Sequence, residues 1–186
     1  MMNDGSAIHR SSLIVHRYSM TTRILFVCLG NICRSPLAEG VFNHLAAQAG
    51  RAHEFEVDSC GTGGWHAGEL PDPRTQEVAQ QHGITLNRRA RPFERSDFND
   101  FDLIIAMDRD NVSDLLSFSS LKPDHRAKLK LLREYDPHAD GSLDVPDPWY
   151  GGMDGFERVY QMIERSAKKL LESIPSPLSQ RERGRG

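Results

Sequence analysis

The sequence predicts an α/β domain built on a parallel sheet. Two observations carry that expectation: apolar runs of strand length alternate with segments of helical spacing, and glycines punctuate the boundaries between them. The first strand is Arg23–Val27, where Ile24-Leu25-Phe26-Val27 reads as buried on both faces. A helix follows over Leu37–Ala49, opened by Ser35 as N-cap with Pro36 in its first turn and closed by Gly50. Phe55–Ser59 is the second strand, Gly61–Gly64 a turn, Trp65–Pro73 a loop and Arg74–Gln81 a helix that stops at Gly83. Leu103–Met107 is the third strand, with a helix starting near Asn111, and Lys128–Leu132 is the fourth. A long loop over Tyr135–Gly155 leads to the last helix, Phe156–Ser173. There Phe156, Val159, Tyr160, Ile163, Ala167, Leu170 and Leu171 recur at helical spacing, which marks the face that packs on the core.

A chain of 186 residues suits one domain with a core of its own. That domain is assigned to residues 21–174. Residues 1–20 read as an N-terminal extension, disordered or preceding a true translation start at Met20, and residues 175–186 as a disordered Pro/Ser/Arg-rich tail. The extension's longest apolar run, Leu13-Ile14-Val15, is too short for a signal-peptide core. No stretch approaches the roughly 20 apolar residues of a membrane span. A net charge of −3 offers no general attraction to nucleic acid or an anionic membrane, so neither is an expected partner. Three cysteines, Cys28, Cys33 and Cys60, form no disulfide framework and point to a reducing, cytoplasmic setting. A monomer is expected.

The chemistry concentrates in Cys28-Leu29-Gly30-Asn31-Ile32-Cys33-Arg34-Ser35-Pro36. A loop between a strand and a helix N-terminus turns backbone N–H groups inward and forms an anion cradle. This one carries a thiol and a guanidinium six positions apart. In that field the cysteine is expected to sit as thiolate, the form that attacks. The arginine offers a planar fork matching two phosphate oxygens. Such a loop suits attack on phosphorus.

The run from Val27 to Pro36 resembles, without a gap, the Cys-(five residues)-Arg-Ser/Thr signature of the low-molecular-weight protein tyrosine phosphatases, and the resemblance extends over Thr22–Leu171. It implies a three-layer fold, a four-stranded parallel sheet flanked by helices, with the phosphate-binding loop after the first strand. A thiolate that takes a phosphoryl group needs an acid for the departing oxygen. Three Asp-Pro pairs occur, at Asp72, Asp136 and Asp147, but only Asp147-Pro148 is followed by two aromatics, Trp149-Tyr150. That segment looks like the family's acid loop, which makes Asp147 the general acid. The resemblance then implies hydrolysis of phosphotyrosine in proteins through a phosphocysteine on Cys28, with Arg34 and the amides of Leu29, Gly30, Asn31, Ile32 and Cys33 holding the phosphate. It implies neither metal nor other cofactor, and no clustered ligand set suggests one. Ser35 is expected to hydrogen-bond the Cys28 sulfur, Asn31 to brace the loop by reaching Ser59, and Asp108 to organise the loop or cap a helix. Cys33 resembles the family's second loop cysteine, able to pair with the nucleophile against overoxidation.

The expected substrates are tyrosine-phosphorylated proteins, entering a slot walled by Leu29, Trp65, Trp149 and Tyr150. Two aromatics after Asp147 resemble the broadly acting members of the family; relatives paired with capsule-regulating kinases usually have one. Protein-arginine phosphatases share the loop but tend to carry Thr where this chain has Ile32, and an apolar residue there favours a flat aromatic. Thioredoxin-coupled arsenate reductases need two further cysteines, and only Cys60 lies outside the loop. A non-catalytic phosphotyrosine-binding or redox-sensing module could use the same cradle, but Cys28, Arg34 and Asp147 together argue against it, since pure binding needs neither nucleophile nor acid. The chain departs from many relatives at Arg88, which stands where they carry a histidine in the network bracing the loop. The eight histidines are scattered and read as surface residues.

Overall fold

A computed structural model describes residues 21–118 and 121–176. Its strands are β1 (Thr22–Cys28), β2 (Phe55–Gly61), β3 (Leu103–Ala106) and β4 (Leu129–Leu131). Its helices are α1 (Arg34–Gln48), α2 (Pro73–Gln81), α3 (Asp97–Asp100), α4 (Arg109–Leu116), α5 (Pro123–Lys128) and α6 (Met153–Ser173), with 3-10 turns at Ala52–Glu54 and Leu132–Tyr135. All strand pairs are parallel, in the order β2-β1-β3-β4. After β1 the chain steps to one side to form β2, then crosses back to lay β3 on the other. The carboxyl end of β1 is therefore the switch point of the sheet, where a crevice opens.

Side chains alternate along β1, and both sets are buried. Ile24, Phe26 and Cys28 face a core built with Leu37, Val41 and Phe42 of α1, Val78 and Ala79 of α2, and the apolar stripe of α6. Leu25 and Val27 face a smaller cluster with Ile104, Phe93, Phe98, Phe101 and Leu115. Helices thus cover both faces of a four-stranded sheet, the three-layer architecture expected. A central parallel strand buried on both faces must read as a continuous apolar run, as this one does.

Element boundaries differ from expectation in instructive places. The first helix begins at Arg34, with Cys33 and not Ser35 in the N-cap position. The Ser35 hydroxyl is committed to the Cys28 sulfur and the Cys60 carbonyl, so it has no part in capping. The second strand runs on to Gly61 because Cys60 and Gly61 keep their pairing with Val27 and Cys28. The last helix starts at Met153, and β4 is a residue shorter at each end than its apolar pattern. Gly50 does end α1: its φ of 69° lets its N–H reach Ala47 O while Arg51 N–H reaches Ala46 O. Near the other terminus, Ser176 donates to Glu54 Oε1 at 2.7 Å, so the start of the expected tail is held. Residues 1–20, with Met20, and the tail beyond Ser176 lie outside the described residues.

The segment after β4 is anchored to α6 through Asp136. Its carboxylate accepts from Arg165 Nε (3.2 Å) and Nη2 (3.2 Å), from Arg133 Nε (3.3 Å) and from the His138 N–H (3.0 Å). Burial works against its charge, but the Arg165 and His138 hydrogen bonds and the Arg165 and Arg133 guanidinium groups outweigh it and hold the carboxyl below the ordinary carboxylate range. A carboxyl lowered on folding contributes stability above its unfolded value of about 3.9 and loses it as pH falls through the lower folded value. Asp136→Asn is expected to cost about 2 kcal/mol near neutral pH, discounted for the partly solvated Arg165, and much less in acid below its lowered folded value. Urea unfolding at the two pH values measures the difference.

Candidate active site

The β1–α1 loop folds back over the residue that precedes it. Cys28, last in β1, lies 3% exposed, with the Asn31 N–H donating to its sulfur at 3.2 Å and Ser35 Oγ at 3.0 Å. A thiol at Cys28 donates to Ser35. A thiolate accepts from it instead, and the single hydroxyl proton then turns from Cys60 O (3.2 Å) to the sulfur.

That turn requires Asn31 at φ 56°, in the left-handed region, where asparagine is tolerated better than most side chains. Its amide repays the conformation in hydrogen bonds. Nδ2 donates to Ser35 Oγ (2.9 Å) and Ser59 Oγ (3.0 Å), and Oδ1 accepts from the Arg91 N–H (2.9 Å). Ser59 in turn donates to Glu39 Oε2 (2.7 Å), whose Oε1 meets Arg88 Nε at 3.0 Å. Arg88 also donates to Asp58 Oδ1 (2.8 Å), so the residue that departs from many relatives joins the bracing line as an ion-pair partner. Burial pushes the Glu39 carboxyl up, and the Ser59 bond and Arg88 charge oppose it. Gly61 backs the loop from β2: a Cβ there would sit 2.7 Å from Leu29 O and 2.9 Å from Gly63 O. No side chain fits at that position.

Arg34 opens α1 and is itself 3% exposed. Its Nη1 donates to Asp108 Oδ2 (2.5 Å) and Val145 O (3.0 Å), while Nη2 reaches Asp147 Oδ2 (3.3 Å). Burial disfavours its charge, but Cys28, Asp108 and Asp147 together hold the guanidinium above its ordinary value. Asp108 serves twice, since its Oδ1 also caps α4 by accepting from the Asn111 N–H (2.7 Å). The long loop is tied to the end of β3 where Val145 N–H meets Met107 O (2.8 Å). Two residues on, Asp147 bends back so that its Oδ1 accepts from the Trp149 N–H (3.1 Å).

These pieces enclose a cleft of about 320 Å³ lined by Cys28, Leu29, Gly30, Ile32, Cys33, Arg34, Trp65, His66, Asp147, Trp149 and Tyr150. Ten of those eleven were singled out from sequence. Asn31 and Ser35 are not on the wall: both are buried behind the loop, where their side chains brace it. The eleventh, His66, is one of the histidines that the sequence presents as scattered surface residues, yet it lines the cleft. Its ring lies 6.1 Å from that of Trp65 and 6.2 Å from that of Trp149, and its Nδ1 pairs with Glu69 Oε2 at 2.8 Å. The signal was the neighbouring tryptophan and a carboxylate three residues on. Cys33 is 6% exposed, and burial pushes its thiol up to about 12.

Fold and cleft define a class: α/β domains with a cysteine and an arginine on the loop after the first strand. Comparisons with known proteins narrow it. The sequence model of the family described as low molecular weight phosphotyrosine protein phosphatase matches residues 23–180. The chain is 49% identical over 156 residues to a low molecular weight protein-tyrosine-phosphatase of Streptomyces coelicolor, covering 83% of this chain and 94% of the relative. Among solved structures it is similar to a protein tyrosine phosphatase from Entamoeba histolytica, with a TM-score of 0.78, 34% identity, and 87% and 99% of the two chains covered. It is also similar to a drosophila arginine phosphatase, with a TM-score of 0.76, 36% identity, and 83% and 98% covered. The chain belongs to the low molecular weight phosphotyrosine protein phosphatase family, a family of hydrolases.

Asn31→Ala would remove its buried bonds to Ser35 and Ser59, strand the partly buried Arg91 N–H and keep a Cβ in the left-handed region. It is expected to cost about 2–4 kcal/mol in urea unfolding. Asn31→Gly should recover about 1 kcal/mol of that, the backbone part alone.

Proposed function

We propose that this chain hydrolyses phosphotyrosine in proteins through a phosphocysteine on Cys28, with Asp147 as general acid and then general base. The observation that carries the reading is that Cys28, Arg34 and Asp147 share one cleft, with Arg34 Nη2 3.3 Å from the Asp147 carboxylate. An incoming phosphate competes with Asp147 for that guanidinium edge and draws two oxygens onto the fork. The Cys28 thiolate attacks phosphorus as the bond to the phenolic oxygen breaks. Asp147 gives its proton to that oxygen, and tyrosine leaves neutral. In the second step Asp147, now a carboxylate, takes a proton from water. The water oxygen attacks phosphorus, the P–S bond breaks, and its electron pair returns to Cys28, where Ser35 Oγ and the Asn31 N–H receive it. Arg34 follows the equatorial oxygens through both steps. Cys33, on the same wall, is the natural partner for a protective disulfide with Cys28.

Four exposed side chains, Leu29, Trp65, Trp149 and Tyr150, rim the cleft and suit a flat ring carried on a protein chain. The likeness to an arginine phosphatase keeps phosphoarginine as a second reading, since both activities occur on this fold. Ile32, apolar and on the wall, favours the aromatic ester.

Hydrolysis of an aryl phosphate by three proteins tests the chemistry. Cys28→Ser should be inactive, and Asp147→Ala should lose about 10² to 10⁴ in rate; activity surviving Cys28→Ser would end the covalent reading. Phosphate release from matched phosphotyrosine and phosphoarginine peptides tests the substrate, with tyrosine expected to be faster.

A further inference from the structure

The Asp147 loop carries its acid on a thin support. Trp149 and Tyr150 are exposed, as are Gly151 and Gly152. Asp147 itself is held by one contact to Arg34 and by the Trp149 N–H. One side chain from outside the cleft grips this segment. Arg74, in the first turn of α2, donates from Nη1 to Trp149 O (3.2 Å) and Gly151 O (3.3 Å). Its guanidinium lies 5.5 Å from the Trp149 ring centroid and 4.6 Å from that of Phe156 at the start of α6. The opposite edge of the same group donates from Nε to Asp72 Oδ1 (3.0 Å) and from Nη2 to Asp72 Oδ2 (2.9 Å). Asp72 is buried, caps α2, and gives its own N–H to Ile32 O (2.8 Å) in the Cys28 loop.

We propose that Arg74 is a positioning residue that links the acid loop to the nucleophile loop and so sets the reach of Asp147 over Cys28. The link runs from Ile32 O through Asp72 and the Arg74 fork to Trp149 O, whose residue supplies the N–H that Asp147 accepts. Arg74 does not line the cleft, so it acts through Asp147 and not on the substrate. A planar fork is needed: an ammonium cannot bridge a carboxylate and two carbonyls while also resting against two rings.

The proposal rests on Asp147 being the acid, and the test separates the two. kcat/KM is measured for a series of aryl phosphates, from phenyl to 2,4-dinitrophenyl, with wild type, Arg74→Met, Arg74→Lys, Asp147→Ala and Asp147→Ala/Arg74→Met. A misplaced acid matters most when the leaving group is poor. Arg74→Met is expected to lose about 10- to 100-fold with phenyl phosphate and less than about 3-fold with the dinitrophenyl ester. Arg74→Lys should fall between, and inhibition by inorganic phosphate, which reads the Cys28 loop, should stay within about 3-fold in both. Adding Arg74→Met to Asp147→Ala should change little further. A loss that ignores the leaving group, or one that multiplies with Asp147→Ala, overturns the role of Arg74. Asp147→Ala without leaving-group dependence overturns the acid assignment, and the Arg74 proposal with it.

Discussion

The site depends on one side chain that never touches its cleft. Asn31 takes a backbone conformation that most residues resist, and its amide bonds the start of α1, the end of β2 and the 87–93 segment at once. The loop can therefore close over a sulfur at the end of β1 because three separate parts of the chain hold its tightest turn. Without those bonds, the loop would relax toward ordinary strand-to-helix geometry, and the Asn31 N–H would no longer face Cys28. The buried line beyond it, through Ser59 and Glu39 to Arg88, carries that constraint to the surface. Low local dielectric strengthens each link and makes any missing one costly.

A second constraint is electrostatic. Arg34 is buried, and a guanidinium removed from water must be compensated on every edge. Asp108, Val145 O and Asp147 supply that compensation, and two of the three belong to the long loop before α6. The charge that would bind phosphate thus also gathers the distant loop around it. Asp108 joins the account from a third element, since the carboxylate facing Arg34 also fixes the start of α4.

The sequence made the fold and most of the cleft legible because both leave local marks. A strand buried on both faces must be apolar throughout, and a loop that approaches an anion with its backbone needs its residues contiguous. Nine wall residues follow from the contiguous Cys28–Arg34 loop or from an aromatic pair beside an aspartate, and the tenth, Trp65, from an aromatic in a glycine-flanked loop. What escaped was set by contacts across the chain. Ser35 has good capping chemistry, yet its hydroxyl is claimed by Cys28 and Cys60, and the helix begins at Arg34 with its N-cap two residues earlier, at Cys33. Short α3 and α5 have too few turns to show a period. His66 looks like any loop histidine until folding sets it between two tryptophans. The grip of Arg74 on Trp149 joins residues 75 positions apart, a distance no local pattern spans.

The chain contains two tryptophans, Trp65 and Trp149, and both stand at the rim of the same cleft. Each is partly open to water, with the His66 ring between them and the Arg74 guanidinium over one. The protein's indole emission therefore originates wholly beside the cleft, with no buried tryptophan elsewhere to dilute it. Anything that enters, tilts the Asp147 loop or moves the guanidinium alters the polarity around the only two emitters. The molecule carries its own optical gauge of occupancy, placed where the chemistry is.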